Sequence, residues 1–202
     1  ATRDDGITYI RDFTITVNSE IDDIEATCLD KFNNQSYSNN DGELDWAANW
    51  LEYNDDSSAN SGDIKITSGS SDTKLQLSGP TNYILRRVDL SQFTQATLSL
   101  DYEISSNSTN DEVYVVIRTN NNNYAPIIYT FPTGGNYQGS IEELDISDYL
   151  SDDTDVGIYT SSEFDSDDDI YINNFAINAT GAPEPEDHIF FDRFNSVSYS
   201  NN

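Results

Sequence analysis

The chain has 202 residues, which is enough for one β domain with a substantial core or for two very small ones. Its 37 acidic and 9 basic residues give a formal net charge of −28, so nucleic acid is excluded as a partner and anionic membrane surfaces are disfavoured. Aromatic residues make up 12% of the chain, which argues against disorder because disordered acidic chains are poor in them. No apolar run reaches the length of about 18 residues that predicts membrane insertion.

An internal repeat is the strongest feature of the sequence. Residues 9–15 (YIRDFTI) match residues 171–177 (YINNFAI), and residues 30–40 (DKFNNQSYSNN) match residues 192–202 (DRFNSVSYSNN). The offset is the same in both matches, since 171 − 9 and 192 − 30 are both 162, and 12 of the 18 aligned positions are identical. These matches indicate a tandem array, in which neighbouring copies of one domain are partners of each other.

The repeat predicts the organisation of the chain. We expect the last strand of a preceding repeat, a linker, one complete β-sandwich repeat, a second linker and the first strand of a following repeat, over residues 1–17, 18–29, 30–180, 181–191 and 192–202 respectively. The linkers are short, and Pro183 and Pro185 favour extended backbone in the second one. Successive domains are therefore expected to stack end to end as a stiff rod, and the leading strand is expected to complete a neighbour's sheet.

Short runs of β-branched, aromatic or alternating residues dominate the complete repeat. They predict strands, in chain order, over residues 64–67, 74–77, 83–88, 97–103, 112–119, 127–131, 139–144, 156–159 and 170–177. One short helix is expected near residues 146–150, and no helical periodicity persists elsewhere. Strands separated by turns at this spacing predict an all-β fold, a two-sheet antiparallel sandwich.

The order of several motifs resembles a known family. Phe32 is followed by Trp46 and Trp50, and then by the segments GDI (62–64), RRVDLS (86–91), LSLDY (98–102), DEVYVVI (111–117) and DDIYINNF (168–175). In this order they are similar to the MAM-like jelly-roll repeats of giant secreted and surface-anchored bacterial proteins, over nearly all of residues 30–178. The resemblance implies an antiparallel jelly roll, tandem arrays, an extracellular location at the cell surface and frequent calcium binding.

Two groups of oxygen-bearing side chains are candidates for a calcium site. The first group consists of Asn33, Glu52, Asp55, Asp56 and Asp63, and the second consists of Asp167, Asp168 and Asp169. Calcium takes its oxygen ligands from carboxylates, amides and carbonyls in irregular loops, and both groups offer such ligands. Neither group has the spacing of an EF-hand loop, and a solvated acidic surface is the alternative for both. We expect at least one bound calcium, with the first group ahead of the second.

No catalytic set can be assembled from the sequence. The single histidine, His188, lies in the second linker, so no Ser-His-Asp or Cys-His arrangement is predicted. The single cysteine, Cys28, lies at the edge of the first linker, where a half-buried apolar position and an intermolecular disulfide are the alternatives. We therefore expect a protein that is not an enzyme.

Two functions remain. The repeat favours a structural and adhesive unit of an extracellular bacterial surface fibre or filament. The alternative is a carbohydrate-binding jelly-roll module of a secreted multidomain protein, with surface glycans as partners. In that alternative Trp46, Trp50 and Tyr53 stack on a sugar ring, whereas core packing is the ordinary fate of tryptophans in a sandwich. An exposed aromatic platform or cleft distinguishes the second function from the first.

Overall fold

The computed structural model describes residues 24–67, 73–119 and 125–181. These residues form eleven β-strands and one turn of 3-10 helix. In chain order the elements are β1 (Ile24–Asp30), β2 (Leu51–Tyr53), β3 (Ile64–Ile66), β4 (Leu75–Ser78), β5 (Tyr83–Val88), β6 (Gln95–Ser105), β7 (Val113–Arg118), β8 (Ile127–Thr130), β9 (Asn136–Asp145), the 3-10 turn (Ser147–Tyr149), β10 (Thr154–Thr160) and β11 (Asp169–Gly181). No helix in the described ranges is long and apolar enough to cross a membrane.

The strands form two antiparallel sheets that pack face to face. The six-stranded sheet has the order β3-β4-β11-β6-β9, and β1 pairs with the C-terminal half of β11 while β4 pairs with its N-terminal half. The five-stranded sheet has the order β2-β5-β10-β7-β8. Strands distant in the chain are neighbours in both sheets, so the chain crosses repeatedly between the layers, as in a jelly roll. The expected all-β, two-sheet antiparallel sandwich is confirmed.

Alternation in the sequence sets which side of each strand faces the core. In β6 the buried positions are every second residue, namely Ala96, Leu98, Leu100, Tyr102 and Ile104. β11 follows the same rule with one interruption, a bulge between Asn173 and Ala176 that adds one residue relative to β6. Because of the bulge, Ile172 and Phe175 both point into the core although they are three positions apart.

A buried ion pair ties the segment that follows β1 to the core. Arg86 on β5 donates to Asp30 at the end of β1 (Nη1–Oδ2 2.6 Å), and both side chains are almost completely buried. The Asp30 carboxylate also accepts hydrogen bonds from Trp50 Nε1 (2.9 Å) and from the Phe32 amide (2.7 Å). The Arg86 guanidinium lies 4.6 Å from the centroid of the Trp46 ring, a cation–π contact. Burial lowers the pKa of Arg86 to about 10, against the attraction of Asp30.

Strand β1 changes the predicted boundary of the repeat. Residues 24–29 form most of β1, so the linker predicted over residues 18–29 is wrong for that part. The sequence does not predict this strand because one of its buried positions is an aspartate. Asp30 is stable in the interior because it forms an ion pair with Arg86. The segments predicted for residues 1–17 and 192–202, and all but the first residue of the linker predicted for 181–191, lie outside the described residues.

The two ends of the domain lie side by side. Ile24, the first residue of β1, is paired with Gly181, the last residue of β11. The chain therefore enters and leaves the sandwich at the same end, which we call the terminal pole.

Candidate binding face of the five-stranded sheet

Side chains on the outer face of the five-stranded sheet form three rows that run across the strands. The first row contains Tyr53, Tyr83, Tyr159 and Tyr114, from β2, β5, β10 and β7, and each tyrosine is directly opposite the next in the strand register. Neighbouring ring centroids are 5.2, 6.0 and 6.0 Å apart, and all four residues are half-buried. We call these four residues the tyrosine row; at ordinary strand spacing it is about 14 Å long.

The second row is apolar and lies one step further along the same strands. It contains Leu51, Leu85, Gly157, Val116 and Ile127, again in register. Leu51 and Ile127 stand at the two ends of the row, on the edge strands, and are 53% and 51% exposed. At Gly157 an added Cβ would overlap the backbone carbonyl of Ile84 on β5. A glycine is therefore required there, and because it has no side chain the surface is recessed at the centre of the face.

The third row consists of Arg87, Asp155 and Arg118, from β5, β10 and β7. Asp155 accepts hydrogen bonds from Arg87 Nε (2.8 Å) and Nη2 (3.0 Å) and from Arg118 Nε (3.0 Å). The Asp155 side chain is only 7% exposed because the two guanidinium groups cover it. The hydrogen bond to Asp155 raises the pKa of Arg87. These charge-assisted contacts fix the orientation of both guanidinium groups on the face.

Arg118 also connects the third row to the first. Its Nη2 donates to Tyr53 Oη (3.3 Å), although their strands, β7 and β2, are separated by β10 and β5. The two side chains therefore meet above Leu85 and Gly157, which accounts for Leu85 being only 2% exposed on an outer face. This contact, the Arg118–Tyr53 bridge, runs diagonally across the sheet.

Two open depressions lie on opposite sides of the bridge. The apolar depression has a volume of about 410 Å³, and its lining includes Tyr83, Tyr159, Val116 and Ile127. The charged depression has a volume of about 350 Å³, and its lining includes Leu51, Leu85, Tyr53, Arg87, Arg118 and Asp155. Both volumes fall within the range of small-ligand sites. Aromatic and aliphatic surface beside planar hydrogen-bonding groups suits a ligand that has both apolar faces and polar edges.

The hydroxyl groups of Tyr83 and Tyr114 remain protonated at neutral pH. Burial raises the pKa of Tyr83, and the nearby Arg118 opposes that effect. Burial and a hydrogen bond to Glu112 raise the pKa of Tyr114 to about 12. A protonated phenol both donates and accepts hydrogen bonds, so these groups can pair with hydroxyl groups of a ligand.

The outer face of the six-stranded sheet is different in character. Its central strands present polar side chains outward, among them Thr97, Ser99, Asp101, Glu103, Asn178 and Thr180. A depression of about 250 Å³ there is lined by Lys74, Glu103, Gln138 and Tyr171, among others. Lys74 and Glu103 form an ion pair across it (2.8 Å). The aromatic row distinguishes the five-stranded sheet from this polar face and makes it the better candidate for a binding surface.

The sugar-stacking residues expected from the sequence are only partly correct. Trp46 and Trp50 are 9% and 3% exposed and pack against Phe175 in the core, so stacking of these two residues on a surface ligand is wrong. Tyr53 does lie on the outer face, as the first member of the tyrosine row.

Cys28 is fully buried, and burial raises its pKa to about 12, which favours the apolar core position over an intermolecular disulfide.

Part of the first predicted calcium group comes together. One carboxylate oxygen from each of Glu52, Asp55 and Asp56 lies within 4.8 Å of the others, and we call these residues the carboxylate triad. Asp63 is outside the triad, and the Asn33 amide donates to Asp41 (2.6 Å). Like charges this close repel one another, and an all-oxygen donor set of this kind fits calcium.

The buried member of the triad is Glu52. It accepts hydrogen bonds from the Tyr37 hydroxyl and from the Ser57 amide (2.6 Å). Burial raises the pKa of Glu52, and these hydrogen bonds oppose the effect. Burial removes the water that would stabilise the negative charge of Glu52. A cation bound by the triad would stabilise that charge instead.

The second predicted calcium group does not converge. Asp168 is buried and accepts the backbone amides of Asn107 (2.8 Å) and Asp165 (3.1 Å), so its role is to hold two loops together. Asp169 accepts from Gln76 (2.7 Å), and Asp167 is exposed. Within the described ranges, only the carboxylate triad brings three acidic groups close enough to share a metal ion.

The binding face itself is absent from the sequence predictions, although the sequence contains a signal for it. β5 and β7 share the pattern Tyr-x-apolar-x-Arg, as Tyr83 to Arg87 and Tyr114 to Arg118. β10, which lies antiparallel between them, has the reverse pattern Asp-x-Gly-x-Tyr over residues 155–159. Reading the three segments as antiparallel neighbours would have aligned the tyrosines in one row and the charges in another.

Among known proteins, this chain is similar to solved structures that share its fold class, at low sequence identity. No protein-family model matches this sequence, and no curated protein does. Among solved structures the chain is similar to a xylan-binding module CBM15 (14% identity, 69% of this chain and 96% of that chain, TM-score 0.44). It is also similar to the CBM36-1 domain of a multidomain xylanase from the hindgut metagenome of Trinervitermes trinervoides (14%, 57% and 83%, 0.36) and to the C-terminal family 22 carbohydrate binding module of Clostridium thermocellum Xyn10B (12%, 66% and 88%, 0.40). At these identities and TM-scores the likeness carries no conclusion about function.

Proposed function

We propose that this domain is a carbohydrate-binding module, without catalytic activity, that holds a glycan across the outer face of its five-stranded sheet. The observation that carries the proposal is the tyrosine row, in which four half-buried rings stand in register across four strands. Such a row offers apolar surface to successive sugar rings, and the Arg87–Asp155–Arg118 row offers planar groups that pair with sugar hydroxyls. This combination favours the glycan-binding alternative over a purely structural role.

The dimensions of the face favour a glycan over a folded protein partner. Five strands about 4.8 Å apart, and three rows separated by two residues each, give an area of about 300 Å². A stable interface between proteins needs about 800 Å² on each partner. The exposed Leu51 and Ile127 mark the two ends of the apolar row, where the face opens at the sheet edges. A linear ligand can therefore extend past the face on both sides.

Titration of the protein with neutral polysaccharides tests this function. Tyr159 stands between Tyr83 and Tyr114, so Tyr159→Ala removes the centre of the row. We expect this change to weaken binding more than about tenfold, as truncation of a central aromatic contact does. The matched control is Tyr171→Ala, which removes a half-buried tyrosine from the outer face of the other sheet and should leave binding unchanged. Equal losses in the two variants, or no binding to any glycan, would contradict the proposal.

A second candidate function, a structural unit of an extracellular bacterial surface fibre, is favoured by the internal repeat. The described part of the domain, from Ile24 to Gly181, accounts for 158 residues (181 − 24 + 1) of the repeat period of 162, so a connection between successive domains has at most four residues. Four residues reach at most about 18 Å from the end of one domain to the start of the next. Since both ends lie at the terminal pole, successive domains in such an array attach by that pole and project sideways.

This arrangement differs from the end-to-end rod expected from the linkers, and the two can be distinguished. A domain of this size has a diameter of roughly 40 Å. Small-angle scattering of a chain with three copies should show a contour that grows by much less than one diameter per copy. Growth by a full diameter per copy would support the rod.

Three further expectations stay predictions: the extracellular location, the assignment to MAM-like repeats, and strand complementation by residues 9–15, which lie outside the described ranges.

A further inference from the structure

Resting on the proposed function, we infer that the ligand is an uncharged oligosaccharide long enough to occupy both depressions, and that Arg118 is the residue that selects it. The two depressions differ in chemistry, and the Arg118–Tyr53 bridge separates them. A ligand confined to one depression contacts either the aromatic surface or the charged row. Only a ligand that crosses the bridge contacts both.

Each depression suits one part of such a chain. Among the described residues, the lining of the apolar depression contains Tyr83 and Tyr159 and no charged side chain, so it accepts a sugar ring by its apolar face. The charged depression has the exposed Leu51 as its apolar surface and the guanidinium group of Arg87 at its side. There a ring can rest on Leu51 while its hydroxyls meet the planar donors of Arg87, which Asp155 holds in a fixed geometry. The two depressions are therefore neighbouring subsites for successive units of one chain.

Arg118 occupies the divide between these subsites. Asp155 holds its Nε (3.0 Å) and Tyr53 holds its Nη2 (3.3 Å), so the guanidinium group is fixed from two sides above the low point at Gly157. A chain that passes from one subsite to the other lies directly over this group. Because the side chain is already ordered, little conformational entropy is lost when it contacts ligand. Lysine cannot reproduce the arrangement, since an ammonium group lacks the planar fork that engages two partners at once.

The charges of the face favour a neutral ligand over an acidic one. Arg87 and Arg118 share the carboxylate of Asp155, and the charge of Asp153 also acts on Arg87. Among the described residues of the face, the two guanidinium groups share one carboxylate and a second acidic group acts on Arg87, so little positive charge is left for an anion. The net charge of −28 on the whole chain repels a polyanion further. A polymer of uronic acids is disfavoured on both counts.

Calorimetric titration of the full chain tests this inference with two sets of probes. One set consists of neutral gluco- and xylo-oligosaccharides of one to five units, and the other of oligogalacturonates of the same lengths. We expect affinity for a neutral series to rise by about tenfold or more at the length that spans both depressions, because the second contact becomes intramolecular. Arg118→Ala should abolish that rise, so that affinity no longer increases at the length that spans both depressions. Arg118→Lys should behave like Arg118→Ala although it keeps the charge.

The outcomes separate the inference from the function on which it rests. If no neutral oligosaccharide binds, or if Tyr159→Ala has no effect, both the proposed function and the inference are overturned. If Tyr159→Ala weakens binding but Arg118→Ala keeps the length dependence of the unchanged protein, only the inference is overturned. Tighter binding of oligogalacturonates would overturn the neutral ligand class. Should Arg118→Ala fail to fold, Arg118→Gln, which keeps a donor for Asp155, takes its place in the same comparison.

Discussion

Removal of one member of the buried Asp30–Arg86 pair should destabilise the domain strongly. Asp30→Ala deprives Arg86 Nη1, Trp50 Nε1 and the Phe32 amide of their shared acceptor inside the core. Breaking a buried pair from one side costs about 3–5 kcal/mol, because the surviving charge stays buried without its partner. Arg86→Met should cost a similar amount, since it leaves the Asp30 carboxylate buried with only two neutral donors.

The double variant shows whether this cost comes from the unpaired charge. With Asp30→Ala and Arg86→Met together neither charge of the pair remains, so the combined cost should be about 2–3 kcal/mol less than the sum of the single costs. The surface pair Lys74–Glu103 is the control. The Glu103 side chain is 43% exposed, so Lys74→Ala should cost only about 0–1 kcal/mol.

Urea unfolding followed by tryptophan fluorescence measures these effects directly. The chain has two tryptophans, Trp46 and Trp50, and the guanidinium of Arg86 lies over both rings, so the emission reports on this cluster. A loss of 3–5 kcal/mol corresponds to a fall in Tm of roughly 6–20 °C for a domain of this size. Single costs below about 1 kcal/mol, or costs that simply add in the double variant, would refute the reasoning about the buried charge.

Three further predictions concern the same core and the carboxylates. Trp50→Phe should cost about 1–3 kcal/mol in urea unfolding because it removes a hydrogen bond to a charged group, and Trp46→Phe should cost less because Trp46 Nε1 has no partner among the described residues. Calcium should raise Tm, and Glu52→Gln should abolish that rise; equal melting curves with calcium and with chelator would count against the site. Burial raises the pKa values of Glu52 and Asp168 in the folded state, so these two carboxyl groups bind protons more tightly in the folded state than in the unfolded one. The stability that this gives at low pH is lost as pH rises through the folded-state values. Tm should therefore rise as the pH is lowered through those values, and a steady decrease on acidification would contradict this.

The strands that the sequence predicts are those whose buried face is apolar. The sequence predicts β6 and β11 because hydrophobic residues alternate with polar ones along most of each strand. Two successive polar residues, Asn173 and Asn174, between Ile172 and Phe175 also indicate the interruption in β11. β1 and β2 are missed for a physical reason. Their buried positions include Asp30 and Glu52, which are stabilised by partners far away in the chain and not by their own hydrophobicity.

The candidate site is harder to predict because it depends on register. Alternation alone places Tyr83 and Arg87 on the same side of β5, and Tyr114 and Arg118 on the same side of β7. Nothing local specifies that β10 lies between these strands, which is a long-range pairing. The expectation of a tryptophan platform failed for the complementary reason. Trp46 and Trp50 lie in a segment without regular strand alternation, so their burial could not be predicted from periodicity. Both rings contact the buried guanidinium group of Arg86 through cation–π interactions.

The position of the terminal pole makes glycan binding compatible with a tandem array. β1 and β11, which carry the two ends of the domain, belong to the six-stranded sheet, whereas the tyrosine row lies on the outer face of the five-stranded sheet. Packed sheets are about 10 Å apart, so the whole thickness of the sandwich separates the binding face from the strands that carry the chain connections. Neighbouring domains attached through this pole leave the tyrosine row uncovered. An array built in this way presents one binding face per repeat, and a long glycan that reaches two faces is held more tightly than one face alone can hold it.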